Sequence, residues 1–526
     1  MSNAVCLLLL FVTSVYGRTV LNDEKNDIVS LNDTKIDKLL VDLPVYDLPA
    51  NDTNINCTSN TIDISNNIEH DSEPCAPVPK VDNGTALILT PYIEEGLIQE
   101  ARNMCLVDPS LFLGIKSYSG FLTVNKTYNS NLFFWYFPVE NKPVNETPWI
   151  IWLQGGPGAS SMTGLFDEIG PFKFVDGTLK QNPYTWLQNH SLVFIENPVG
   201  TGYSFTDHAE GYAKDMATYS SHMYRAVRQF LQIFPELRIA PLYISGESYA
   251  GKYVPSLAME IHKHKDAPGN DINLQGIMIG NAYVEPAMIS QMIRPFYYFG
   301  LLVNEQLDIV KPLFDAFQQD IAANRSIEAK QKWNSLVTIL LYMSHQKQAY
   351  NFLRDKLPVG EYVSFLASSE VKRALHVGDI NFSFVNFTVN TEMAPDFLSS
   401  ARPMLETLLD HYRVLAYCGQ LDQMLPCVFA SETYRTWKWK HAEEFLNATR
   451  SAYIFNNKLS GYYKSGGGLT EATIRGAGHM VPLDTPAPAQ YLVAHWIHHN
   501  LTHSFEDYSD FIAREFVKNY SIAHYL

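Results

Sequence analysis

Apolar and polar positions divide the chain into stretches of different texture. From residue 18 to about 85, Asn, Asp, Thr and Ser dominate, and neither a helical nor a strand period is sustained. That stretch reads as a pro-segment or polar N-terminal extension. After it, short apolar runs are separated by Gly and Pro. Phe121–Val124 and Leu132–Phe137 predict an early antiparallel pair. Trp149–Leu153, Leu192–Ile195, Leu242–Ile244, Gly276–Ile279, Val414–Tyr417 and Ala472–Arg475 predict buried strands of a mostly parallel sheet. Between strands, Met216, Tyr219, Met223, Val227, Phe230 and Phe234 recur at helical spacing, and Pro488–His498 predicts a last helix. This alternation predicts an α/β fold with crossovers. Between about 284 and 385 the pattern turns helical, with Asn304–Phe317 and Ile327–Asn351 lacking strand alternation, which predicts a cap inserted between sheet strands. Gly466-Gly467-Gly468 predicts a hairpin loop and not a phosphate cradle, because no helix start follows it.

Composition narrows the classes. A chain of 526 residues with 46% hydrophobic content buries a large core, which excludes disorder for most of it. Its net charge of −16 and the lack of a long basic run exclude a nucleic-acid partner. The run Cys6–Val12 is far shorter than the ~20 residues that span a bilayer, and Val15-Tyr16-Gly17 follow it. Residues 1–17 therefore read as a cleaved secretory signal, with no membrane anchor expected. Glycosylation acceptors at Asn83, Asn125, Asn145, Asn324, Asn381, Asn386 and Asn447, with others at Asn32, Asn51, Asn56, Asn189, Asn500 and Asn519, agree with the secretory route, to a secreted or lysosomal/vacuolar destination. Without Cys6, five cysteines are left; Cys418 and Cys427 are the expected bridge, and at least one thiol must be free or paired outside the chain. The expected plan is a signal at 1–17, an extension at 18–85, the folded domain at 86–500 and a C-terminal tail at 501–526.

The chemistry sits at the ends of the predicted strands. In Leu242-Tyr243-Ile244-Ser245-Gly246-Glu247-Ser248-Tyr249-Ala250-Gly251 a strand breaks at a small residue and enters a helix. That context suits a nucleophile elbow, in which the turn exposes a serine hydroxyl and the helix start offers backbone N–H groups to a developing oxyanion. The pattern G-x-S-x-G holds at Gly246 and Ser248, with Ala250 at its last position. In an α/β-hydrolase the acid and the histidine follow on loops after later strands. Asp422 follows Val414–Tyr417, and His479 follows Ala472–Arg475 through Gly476-Ala477-Gly478. Ser248, Asp422 and His479 in that order predict acyl transfer, with His479 moving the proton and Asp422 holding its tautomer. No metal or other cofactor is called for.

Four segments then resemble the signature set of the serine carboxypeptidases: Trp152-Leu153-Gln154-Gly155-Gly156-Pro157-Gly158-Ala159-Ser160-Ser161, Asn197-Pro198-Val199-Gly200-Thr201-Gly202-Tyr203-Ser204, the elbow itself, and Gly476-Ala477-Gly478-His479-Met480-Val481-Pro482. The likeness spans about 86 to 500 and is nearest the vitellogenic carboxypeptidase-like branch. It implies an exopeptidase acting on peptides with a free C-terminus. It also implies an oxyanion hole from the N–H groups of Gly156 and Tyr249, and a carboxylate-binding site from Trp152, Gln154, Gly155 and Glu247, with Glu168 paired to Glu247. Two carboxyls sharing a site raise one pKa, so an acid working range is expected. The chain departs from the family pattern at Gln154, where many members have Asn, at Ala159, which lacks a common cysteine, and at Leu425-Pro426. An acyltransferase and a non-catalytic protein of the same fold are the competing readings, and the oligomeric state, with a homodimer among the options, is open.

Overall fold

The computed structural model describes residues 83–267 and 271–499. The expected signal segment, nearly all of the N-terminal extension and the C-terminal tail lie outside the described residues. So do the acceptors at Asn32, Asn51, Asn56, Asn500 and Asn519.

After two short helices, Thr90–Glu94 and Ile98–Met104, the sheet begins with the antiparallel pair β1 (Tyr118–Asn125) and β2 (Ser130–Phe137), followed by β3 (Trp149–Leu153). A separate hairpin is formed by β4 (Phe172–Val175) and β5 (Thr178–Gln181). Then come β6 (Ser191–Ile195), β7 (Leu242–Glu247), β8 (Leu274–Gly280), β9 (Arg413–Gly419), β10 (Ser451–Phe455), β11 (Lys458–Gly466) and β12 (Leu469–Ile474). Ten strands form one sheet in the order β1-β2-β6-β3-β7-β8-β9-β12-β11-β10. The central strands β6, β3, β7, β8, β9 and β12 run parallel, with antiparallel pairs at both edges. Side chains alternate across the sheet. Trp149, Ile151 and Leu153 enter one apolar cluster, while Ile150 and Trp152 enter the other. With both faces covered, the central strands read as continuous apolar runs, which is why the sequence reveals them.

Five longer helices matter for the site: α1 (Met216–Ile233), α2 (Ala250–Lys263), α3 (Asn304–Ala322), α4 (Ser326–Met343) and α5 (Pro486–His498). Asp215 caps α1 by accepting the Thr218 N–H at 2.8 Å. Helices α3 and α4 pack on each other and fall within the span read as a helical insertion. The second is shorter than its pattern predicts. It stops at Met343 because His345 adopts φ +56°, the left-handed conformation that ends helices. Residues up to Asn351 form instead a loop gathered by Gln348, whose Oε1 accepts the N–H groups of Tyr350 and Asn351 at 2.7 and 2.9 Å. The glycine triplet supplies the turn between β11 and β12, with Gly467 and Gly468 at φ +56° and +88°.

Candidate active site

Strand β7 ends at Glu247, and Ser248 turns into the left-handed region at φ +61°. For a residue with a side chain this conformation costs about 1–2 kcal/mol, so the surroundings must hold it. The Ser248 N–H donates to Gly280 O at 3.0 Å, and its carbonyl accepts from Tyr283 N at 2.8 Å and Gly251 N at 2.9 Å. Glycines let the backbones meet there. A Cβ on Gly155 would lie 2.5 Å from Tyr249 N and 2.8 Å from Ser248 Cβ, so the ends of β3 and β7 approach only because that residue has none. A Cβ on Gly251 would lie 2.8 Å from both Ala282 Cβ and Tyr283 N. The close-packed glycine of this elbow is thus Gly251, one residue beyond the expected position, and the buried Ala250 methyl is accommodated.

The predicted acid and histidine meet. His479 Nδ1 lies 2.8 Å from Asp422 Oδ2, and both residues are buried. Asp422 Oδ2 also accepts from Asn281 Nδ2 at 2.7 Å, while its Oδ1 accepts from Met424 N at 2.7 Å and Leu425 N at 3.2 Å. A carboxylate so supplied with donors is acceptor-only, so His479 carries its proton on Nδ1 and leaves Nε2 as a base. The His479 N–H donates to Tyr350 O at 2.6 Å, and the Tyr350 ring packs edge-on against the imidazole at 4.6 Å. Cys418 and Cys427 form a disulfide that closes the loop carrying Asp422. Cys105 is buried as a free thiol.

On the β3 side a polar chain runs inward. The Trp152 indole N–H donates to Gln154 Oε1 at 2.9 Å, and Gln154 Nε2 donates to Glu247 Oε1 at 2.7 Å. Because indole is donor-only, this fixes which way the amide points. Glu168 ends a short π-helix, Gly164–Glu168, that lies against Trp152 only because Gly164 has no side chain. Glu168 is buried, and among the described residues neither of its side-chain oxygens accepts from a protein donor; the same holds for Glu247 Oε2. Two carboxyls in that position bond to each other only when one keeps its proton. Burial lifts Glu247 above the usual carboxylate range, and burial followed by the charge of Glu247 lifts Glu168 well above it.

Ser248, His479, Gln154, Gly155, Gly156, Glu247 and Tyr249 line one cavity of about 370 Å³, roofed by residues of α4. Among the described residues, neither the Gly156 nor the Tyr249 N–H donates to a protein acceptor. Trp152, Glu168 and Asp422 stand behind the cavity wall and touch it through Gln154, Glu247 and His479. Sequence reasoning missed Asn281 and the π-turn at Gly164. The signal for Asn281 was available, since it is the polar residue just past the apolar end of β8, where open parallel sheets place their sites.

Asn145, Asn324, Asn381 and Asn447 are exposed, whereas Asn83 and Asn125 are half-buried. Asn386 is committed inward. Its Nδ2, the atom a glycan would occupy, donates to Gly200 O at 2.7 Å, and its Oδ1 caps a short helix through Thr388 N and Val389 N.

A serine held on a strained turn after a central parallel strand, with a buried His–Asp pair on loops from later strands, defines an α/β-hydrolase-type serine hydrolase. Comparison with known proteins narrows this class. Residues 109–499 match the family described as Serine carboxypeptidase, and the chain belongs to that family, a family of serine-type exopeptidases. It is 39% identical over 435 residues to a probable serine carboxypeptidase, CPVL, of Homo sapiens, covering 80% of this chain and 91% of the relative. It is 37% identical to a venom serine carboxypeptidase of Apis mellifera, covering 81% and 93%, and 37% identical to a vitellogenic carboxypeptidase of Aedes aegypti, covering 80% and 91%. The fold resembles that of a prohormone-processing carboxypeptidase from Saccharomyces cerevisiae, with a TM-score of 0.67 at 24% identity over 75% of this chain and 96% of that one. No helix among the described residues is long and apolar enough to cross a membrane.

Proposed function

We propose that Ser248 is the nucleophile of a carboxypeptidase that releases the C-terminal residue of peptides at acid pH. His479 Nε2 takes the Ser248 proton as the hydroxyl attacks the last peptide carbonyl, and then gives it to the departing amine. Asp422, bonded to Nδ1, holds the tautomer and stabilises the imidazolium. The N–H groups of Gly156 and Tyr249 receive the oxyanion, and water then resolves the acyl-enzyme.

The observation that carries the reading is the Gln154–Glu247–Glu168 chain beside the serine. A substrate carboxylate entering there needs donors. The N–H of Gly155, the amide of Gln154 and a protonated Glu247 provide them, and Glu168 keeps the proton available. As pH rises the pair ionises and repels the substrate carboxylate, so KM rises toward neutrality. Trp152 orients Gln154 and is a positioning residue. An acid optimum suits an endolysosomal or secreted setting reached through the secretory pathway, with Asn145, Asn324, Asn381 and Asn447 as the glycan sites. The test compares a blocked dipeptide bearing a free C-terminus with its amide at pH 5.5. Release from the acid should exceed release from the amide by at least about a hundredfold in kcat/KM, the loss expected when charge-assisted hydrogen bonds are removed. Equal rates would overturn the carboxylate site.

A further inference from the structure

Helix α4 turns one face toward the cavity, placing Lys330, Trp333, Asn334, Val337 and Leu341 in its lining. Lysine is out of place on such a face, since it is almost never buried without a partner. Lys330 is 8% exposed. Its ammonium donates to the carbonyl of Asn390, and among the described residues it meets no carboxylate. The nearby charge that acts on it is a like one, Lys252. Lys252 itself is answered, by the carbonyls of Asp396 and Phe397 at 2.6 and 2.9 Å and by the Asp396 carboxylate at 3.8 Å. An ammonium has three donors, and Lys330 uses one. One turn further along α4, the buried indole N–H of Trp333 also lacks an acceptor. A lysine without a carboxylate partner and an indole N–H without an acceptor therefore share one stretch of cavity wall. Among the described residues Glu247 is the acidic side chain in the cavity lining, and burial keeps its carboxyl toward the neutral form; Lys347, also in the lining, pairs with Asp355 at 3.9 Å.

Position decides which anion this wall would receive. Gln154 and Glu247, the proposed seat of the terminal carboxylate, lie on the β3 side of Ser248. Lys330 enters the same cavity from α4, and its acceptor Asn390 in turn donates from Nδ2 to Pro157 O at 3.2 Å, one residue past Gly156. From Tyr249, the residue after the serine, ring contacts lead through Tyr283 at 5.9 Å, Phe397 at 5.6 Å and Trp333 at 6.0 Å to α4. A peptide with its carboxylate at Gln154 has the rest of the cavity for its acyl side, and the wall there includes Lys330 and Trp333. We infer that Lys330 is a specificity-determining residue that receives an acidic side chain, Asp or Glu, at the penultimate position of the substrate. The inference rests on the exopeptidase reading above. Burial and Lys252 bring the ammonium down to about 7, so it is charged at the acid pH where the enzyme is proposed to work. A carboxylate there would restore its counterion and offer the Trp333 N–H an acceptor.

The test uses three blocked dipeptides with C-terminal Leu and with Glu, Gln or Leu at the penultimate position, assayed at pH 5.5. The wild type should favour Glu over Gln by about tenfold in kcat/KM, the gain expected of a charge-assisted hydrogen bond. Lys330→Met should bring the Glu/Gln ratio to about one or below, and Lys330→Arg should keep Glu preferred. A merely structural lysine would change all three rates together and leave the ratio unmoved. Equal rates for Glu and Gln in the wild type would overturn the inference without any variant, and so would a preference that survives Lys330→Met. An acidic preference confined to the C-terminal residue, probed with Leu-Glu against Leu-Gln, would overturn the placement. Failure to release Leu from any of the three would overturn the exopeptidase reading, and this inference with it.

Discussion

Replacing Glu247 with Gln isolates the proton held by the buried carboxyl pair. In the unfolded chain both carboxyls titrate near the ordinary glutamate value, about 4.3. In the fold, burial lifts Glu247, and burial with the Glu247 charge lifts Glu168. Between the unfolded and folded values the native state binds more protons than the unfolded one, so stability is full at low pH and falls as pH rises. Each retained proton removes about 1.4 kcal/mol per pH unit, or about 2.7 kcal/mol between pH 5 and pH 7. Glutamine at 247 preserves the neighbouring geometry. Its Oε1 accepts from Gln154 Nε2 as Glu247 Oε1 does at 2.7 Å, and its Nε2 turns a donor toward Glu168. One carboxyl is then gone and the other has lost its repulsive neighbour, so at least one retained proton disappears. Glu196, which burial lifts to about 7, adds its own slope over the same range. Because the substitution leaves Glu196 alone, the difference between variant and wild type reports the pair. Urea unfolding followed by tryptophan fluorescence at pH 5, 6 and 7 provides the measurement. The variant should gain on the wild type by at least about 1.4 kcal/mol per pH unit. Parallel lines of stability against pH would refute the claim that the pair carries a proton toward neutrality.

Two further predictions concern the support of Asp422. Asn281→Ala removes the donor to Asp422 Oδ2 and leaves the Gly419 N–H, now 3.2 Å from Asn281 Oδ1, without an acceptor, at a backbone φ of +39° that suits Asn better than Ala. Stability should fall by about 2–4 kcal/mol and kcat at least tenfold with KM little changed, read by urea titration and steady-state kinetics; a KM effect alone would place Asn281 elsewhere in the mechanism. Breaking the Cys418–Cys427 bridge by a double Ser substitution opens a loop of sequence separation 9, for which the chain-entropy account gives about 2.6 kcal/mol. A reductant should lower the wild-type melting temperature to about that of the double variant and leave the double variant unmoved.

How much of this was legible in the sequence depended on what each residue had to satisfy. The strands β3, β6, β7, β8 and β9 showed because burial on both faces keeps their centres apolar, with polar residues such as Ser191, Gln275 and Arg413 near their starts and Glu247 at an end. By contrast β10 and β11 carry Ser, Lys and Gly in a sheet margin of mixed burial, and β5 is largely exposed, so neither period nor composition marked them. Ser248, Asp422 and His479 showed because each had to follow a strand. The substrate side was legible only through resemblance, since Trp152, Gln154 and Glu168 come together across a π-turn that no local pattern encodes. There Gln154, the departure from the family pattern, acquires a physical account. Its side chain joins Trp152 Nε1 to Glu247 Oε1 in one reach, both ends of its amide being bonded, at 2.9 and 2.7 Å. Asparagine at 154 would draw the amide one methylene back toward β3, and it could keep both bonds only if Glu247 or the indole moved. Since Glu247 leads directly into the strained Ser248, the longer side chain and the elbow constrain each other, and the proposed carboxylate site and the proposed nucleophile form one mechanical unit.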